Sequence, residues 1–94
     1  MNIRRLVLDV DKARERPSLL EIAQAIERCT GVEALNLTVG EIDIETVGMD
    51  ITMEGEHLNY SEILKAIEST GAVVHSIDQV VVGNRIIERV PRTR

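Results

Sequence analysis

Hydrophobic positions along this chain switch repeatedly between a period of two and a period near 3.6. From Ile3 to Val10 the period is two: Leu6, Leu8 and Val10 share one side and Arg5, Val7 and Asp9 the other, as in a strand. Asp11 to Arg16 is charged and aperiodic and reads as a loop. Pro17-Ser18 opens a helix, because Ser18 and Glu21 stand at the spacing at which each side chain satisfies the other's free backbone N–H. Leu19, Ile22, Ala23 and Ile26 give it a buried stripe, and Gly31 ends it.

Val32 to about Glu45 is extended. Leu35, Leu37 and Val39 alternate with Asn36 and Thr38; after Gly40 the parity flips, with Ile42 and Ile44 apolar and Glu41, Asp43 and Glu45 polar. A phase change at a glycine predicts a bulge or bend. After a tight turn at Thr46–Gly48, Val47, Met49, Ile51 and Met53 alternate with Asp50, Thr52 and Glu54 as a third strand. Asn59 and Glu62 repeat the capping spacing, Leu58 and Ile63 can pack as a staple across it, and Gly71 ends this second helix. Val73–Val82 is a fourth strand, apolar on both parities. Gly83-Asn84 is a hairpin signal that leaves room for a short fifth strand over Arg85–Val90, stopped by Pro91 and followed by a frayed basic end.

The helical cassette occurs twice. Glu21-Ile22, Ala25-Ile26-Glu27 and Thr30-Gly31 are matched by Glu62-Ile63, Ala66-Ile67-Glu68 and Thr70-Gly71. With right-handed crossovers the order β-α-β-β-α-β predicts an α+β, ferredoxin-like sandwich. Its antiparallel sheet should run 4-1-3-2, with both helices on one face and a Val- and Ile-rich face left open for a ligand or another subunit. Residues 1–94 form a single domain, with 85–94 as a C-terminal extension.

Composition narrows the partners. The net charge is −5 and Tyr60 is the only aromatic residue. A body without stacking platforms or a basic groove is not a nucleic-acid binder. No apolar run approaches the roughly 20 residues of a membrane span. The start runs into a strand and not into a signal peptide, and Cys29 is the single cysteine, so the chain reads as cytoplasmic, without disulfide or cysteine metal cluster.

Two acidic groups attract attention. The topology brings Asp9, at the end of the first strand, towards Asp50 and His75, with Asp11 and Asp78 near enough to add oxygens. Carboxylates alone suit Mg²⁺ or Ca²⁺; with His75 the set would suit Zn²⁺ or Mn²⁺. The competing reading is a solvated face, or salt bridges to Arg4 or Arg5 of another subunit. Glu41, Asp43 and Glu45 form an acidic ladder on one strand. It either discourages edge pairing or meets a cation or a basic partner surface, for which the tail (Arg85, Arg89, Arg92, Arg94) of a neighbouring subunit is the candidate. His57 reads as a loop residue outside any HExxH context. GxGxxG, GxxxxGK[ST], GxSxG and CxxC are all missing from the sequence. His75-Ser76-Ile77-Asp78 cannot align a nucleophile, base and acid along one strand.

Ile3–Val10, the Pro17-Ser18-Leu19 helix opening and Val74-His75-Ser76-Ile77-Asp78-Gln79-Val80 resemble an archaeal family catalogued as domain of unknown function 211. The resemblance covers residues 2–90. It implies a ferredoxin-like fold, an archaeal cytosolic setting and ring-like homo-oligomers, and it implies no activity. The expected function is an oligomeric binding or regulatory module, holding a divalent cation or small ligand on the open face or between subunits. The alternative is a structural or interaction subunit without ligand. An enzyme is the least favoured class.

Overall fold

The computed structural model describes residues 1–92, so that Thr93 and Arg94, the end of the expected basic tail, lie outside the described residues. The elements are β1 (Ile3–Ala13), α1 (Leu19–Glu27), β2 (Val32–Ile42), β3 (Thr46–Gly55), α2 (Tyr60–Ser69) and β4 (Val73–Val82). Their sheet runs β2-β3-β1-β4 with every neighbouring pair antiparallel. This is the expected ferredoxin-like order read from the other edge.

One cluster holds the layers together. Leu6, Leu8 and Val10 of β1 and Met49, Ile51 and Met53 of β3 meet Ile22 and Ile26 of α1 and Ile63 and Ile67 of α2, all essentially solvent-free. The helices have only 9 and 10 residues, too short to persist alone in water, so burial of these stripes is what keeps them folded. Each fully buried isoleucine contributes about 1.5–3 kcal/mol.

The two cassettes are capped alike and then differ. At α1, Ser18 and Glu21 form the reciprocal capping box (3.1 and 3.2 Å). At α2, Asn59 accepts from the Glu62 N–H (3.1 Å), but the Glu62 carboxylate reaches across to accept from the Thr30 N–H (3.3 Å). It thereby ties the end of the first cassette to the start of the second. Beside Thr30, Gly31 has φ +86° and packs against Gly55 so closely that a Cβ on Gly55 would lie 1.8 Å from the Gly31 carbonyl oxygen. Both positions therefore require glycine.

The β2–β3 register shifts between Val39 and Glu41, so the phase change at Gly40 is a bulge. Three expectations need correction. The turn expected at Thr46–Gly48 lies earlier, where the Asp43 N–H donates to the Thr46 carbonyl (2.8 Å), and Thr46–Gly48 open β3. The charged stretch after Val10 is not loop from its start: β1 continues to Ala13, with Asp11, Lys12 and Ala13 paired to Gly48, Val47 and Thr46. Lys12 is buried there because its ammonium donates to the Ala13 and Arg14 carbonyls (both 3.0 Å), a local solution that hydrophobic periodicity does not register. The fifth strand over Arg85–Val90 does not form. The Gly83 N–H goes to the Asn2 carbonyl (2.9 Å) instead of closing a hairpin, and Arg5 grips Glu88 with both terminal nitrogens (2.8 and 2.9 Å). The segment is thus held by side chains and not by a strand ladder.

Candidate functional site

The register builds the open face row by row. Asp9 of β1 stands directly opposite Asp50 of β3, Asp50 opposite Thr38 of β2, and Asp9 opposite Ser76 of β4. Leu8 and Val10 on either side of Asp9 are buried beneath the sheet, so Asp9 projects from the other face. Directly opposed residues of an antiparallel pair have Cβ atoms about 4.5–5.5 Å apart, and like charges there disfavour the sheet. Asp78 is turned towards the same area, accepting from the Ser76 hydroxyl (2.7 Å).

These groups surround a depression of about 290 Å³ lined by Asp9, Glu41, Asp50 and Asp78 with Gly40, Gly48 and Met49. Four carboxylates and no basic side chain line it. Among the described residues, none of the four forms an ion pair. Among the described residues, no group of three or more His, Cys, Asp or Glu side chains converges closely enough to hold a metal ion. A cation in the depression would therefore keep much of its water, as Mg²⁺ and Ca²⁺ commonly do.

The structure divides the sequence-predicted ligands. Asp9, Asp50 and Asp78 share the depression. Asp11 borders it, with Oδ1 3.4 Å from where a Cβ on Gly48 would sit. His75 is turned to Asp11, Nε2 to Oδ2 2.7 Å, and both line a separate cleft of about 350 Å³ with Lys12, Thr46 and Val73. The cause is a set of β-bulges. β1 and β4 shift register at three places, one of them between Asp9 and Val10. A strand apolar on both parities conceals such shifts. Glu41 belongs to the depression as well as to the acidic ladder, because the Gly40 bulge sets it beside Gly48. Asp43 and Glu45 lie beyond, in the β2–β3 hairpin around Ile44.

The face is also more polar than a Val- and Ile-rich sheet suggests. One cross-sheet row reads Asn36, Thr52, Val7, Gln79. At the next, Arg5 is opposite Glu54 and binds it through Nε (2.7 Å), while NH1 reaches Gln79 (3.3 Å) and Glu88. Arg5 thus serves its own chain's carboxylates and not Asp9 or Asp50. Its hydrogen bonds hold the Glu88 carboxyl below the ordinary carboxylate range. Position alone gave no signal for this network, since Glu88 is distant in sequence. Cys29 is buried, its thiol aimed at the Ala25 carbonyl (3.5 Å), and burial followed by the Glu62 charge pushes its pKa up. That makes it a poor nucleophile. His57 is a left-handed loop residue (φ 52°) whose N–H donates to Asn2 Oδ1 (2.7 Å).

The sequence model of domain of unknown function 211, described as uncharacterized ArCR, matches residues 4–94. The chain belongs to this family. It is 44% identical over 88 residues to the uncharacterized protein MJ0319 of Methanocaldococcus jannaschii, spanning 94% of this chain and 90% of that protein. In this member of the domain of unknown function 211 family, no helix among the described residues is long and apolar enough to cross a membrane.

Proposed function

We propose that this member of the family is a small cytoplasmic binding module, working as a homo-oligomer, whose open sheet face takes a divalent cation or the cationic group of a small ligand. The observation that supports this reading is the opposition of Asp9 and Asp50 in a depression lined by two further carboxylates and no basic group. Opposed like charges on a sheet weaken it unless a counter-charge is supplied. With His75 engaged by Asp11, the oxygen-only lining favours a hard cation, Ca²⁺ or Mg²⁺, over Zn²⁺.

Calorimetry and thermal unfolding in Ca²⁺, Mg²⁺ and Zn²⁺ test the reading. A bound cation stabilises the fold by about 2.7 kcal/mol at 100 times Kd, and Asp9→Asn with Asp50→Asn should remove the effect. Equal stability with and without each ion would refute it.

A second reading, an interaction subunit without ligand, is favoured by exposed Ile42, Ile44, Ile87 and Val90. Such a subunit assembles fully in chelator and gains nothing from added cation.

A further inference from the structure

We propose that Arg5 is the seat of a second ligand, a small hydroxycarboxylic acid, and that the chain's own Glu88 fills this seat until such an acid displaces it. Neither Asp9 nor Asp50 takes part, so the site is independent of the cation reading.

Glu88 meets Arg5 as a free carboxylic acid would. Its two oxygens accept from the two terminal nitrogens of the guanidinium at 2.8 and 2.9 Å. This parallel pair is the geometry by which arginine selects a carboxylate. Arg5 does not need Glu88 to balance its charge. Its Nε already donates to Glu54 (2.7 Å), which lies directly opposite on β3. Glu88 is thus a surplus negative charge, and its presence shows that the fork accepts an added carboxylate with Glu54 in place. The side chain of Arg5 is 15% exposed and that of Glu88 68%. The receiving group is therefore fixed in the sheet, whereas the occupant sits outside it, open to exchange.

The segment that carries Glu88 is lightly held. Residues 83–92 form no strand. Ile87 and Val90 are 64% and 83% exposed, so apolar burial contributes little there. The Gly83 N–H and Arg4 bind the Asn2 and Asn84 carbonyls (2.9 and 3.0 Å), but both ties precede residue 85. Among the described residues, the bonds from Arg5 to Glu88 are what fasten residues 85–92 to the body. The Arg4 guanidinium also keeps its Nε buried with no hydrogen-bond partner among the described residues, a cost of the docked arrangement. Displacing Glu88 returns conformational entropy to the segment.

The surroundings select the rest of the acid. Gln79 Oε1 lies 3.3 Å from Arg5 NH1. Glu54 also lines a groove of about 190 Å³ with Ala34, Asn36 and Thr52. A hydroxyl beside the bound carboxylate finds acceptors in Glu54, Gln79 and Asn36, whereas a second carboxylate would meet the charge of Glu54.

The test is an NMR titration of the full chain with lactate, at ionic strength held constant with sodium chloride. The Arg5 Nε–H signal should shift saturably, and the amides of residues 85–92 should take on the relaxation of a free segment. A segment docked ~90% of the time weakens an external acid about tenfold, so Glu88→Gln should tighten lactate by about that factor. Propionate, which lacks the hydroxyl, should bind more weakly than lactate. Arg5→Lys keeps the charge but not the fork and should lose the binding; circular dichroism checks that each variant is folded. No shift of the Arg5 signal in Glu88→Gln would overturn the proposal. So would equal affinity in wild type and Glu88→Gln, unchanged affinity in Arg5→Lys, or propionate binding as well as lactate.

Discussion

Asp9 and Asp50 face one another across β1 and β3 in a depression that contains no basic side chain. Removing one of two opposed like charges relieves a repulsion of about 0.2–1 kcal/mol. Asp50→Asn should therefore stabilise the protein slightly in chelator, by about 0.5 kcal/mol in urea unfolding. The same substitution should abolish any stabilisation by Ca²⁺. A residue kept for its contribution to folding would behave in the opposite way, and Asp50→Asn would then lower stability in chelator.

The Arg5–Glu88 pair is the hinge of a second expectation. Arg5 donates from both terminal nitrogens to Glu88 and is raised further above its ordinary pKa by those bonds and by Glu54, so it stays charged throughout. Glu88 has its pKa lowered by the same bonds. A lowered carboxyl pKa means that the contribution is complete above the unfolded value, about 4.3, and is lost as pH falls through the folded value. Amide relaxation by NMR should show residues 84–92 as ordered at pH 7 as at pH 5, and loosening only once the pH has fallen below that unfolded value. Glu88→Gln should loosen the segment at every pH while the sheet amides stay unchanged.

How much of this was legible in the sequence differs by element. Ile22, Ile26, Ile63 and Ile67 were readable as two stripes because helical periodicity is local, and the repeated cassette gave the topology. Gly40 was readable as a bulge because the parity of its strand flips there. The end of β1 was not, since a charged Lys12 is buried there through the carbonyls of its neighbours Ala13 and Arg14, which hydrophobic periodicity does not register. The candidate site was half legible. Asp9 opposite Asp50 follows from alternation and strand order, whereas the place of His75 depends on bulges between β1 and β4 that leave no trace in a strand apolar on both parities. The Arg5–Glu88 contact could not be read because it links residues far apart in the chain through flexible side chains.

Gly55 supplies a contrast with Gly40. A Cβ on Gly55 would meet backbone, the Gly31 oxygen at 1.8 Å, whereas a Cβ on Gly40 would find its nearest neighbours at 3.9 and 4.0 Å. Backbone cannot rotate aside as a side chain can. Gly55→Ala should cost ~3 kcal/mol or more, and Gly40→Ala should stay within about 1 kcal/mol of wild type. Urea midpoints of the two variants check this, and similar values would mean that the loop around Gly31 yields more readily than its packing suggests.

The two capping glutamates, equivalent in the repeat, should not be equivalent in energy. Glu21 answers only its own cap, accepting from the Ser18 N–H on an exposed turn. Glu62 sits at the same step of α2 and spends its carboxylate on the Thr30 N–H, joining two elements. A local cap bond on an exposed turn is worth about 0.5–1 kcal/mol. Losing Glu62 would also free the end of α1, with the exposed Thr30 N–H turning to water, so Glu62→Ala should cost about 0.5 kcal/mol more than Glu21→Ala. Cys29 offers an independent readout, because its thiol is buried beside this junction and contacts the Glu62 carbonyl at 3.9 Å. Alkylation of Cys29 should be slow in wild type and in Glu21→Ala, and faster in Glu62→Ala, where the junction opens more often. Equal alkylation rates in the two variants would show that the Glu62–Thr30 bond does not hold the cassettes together.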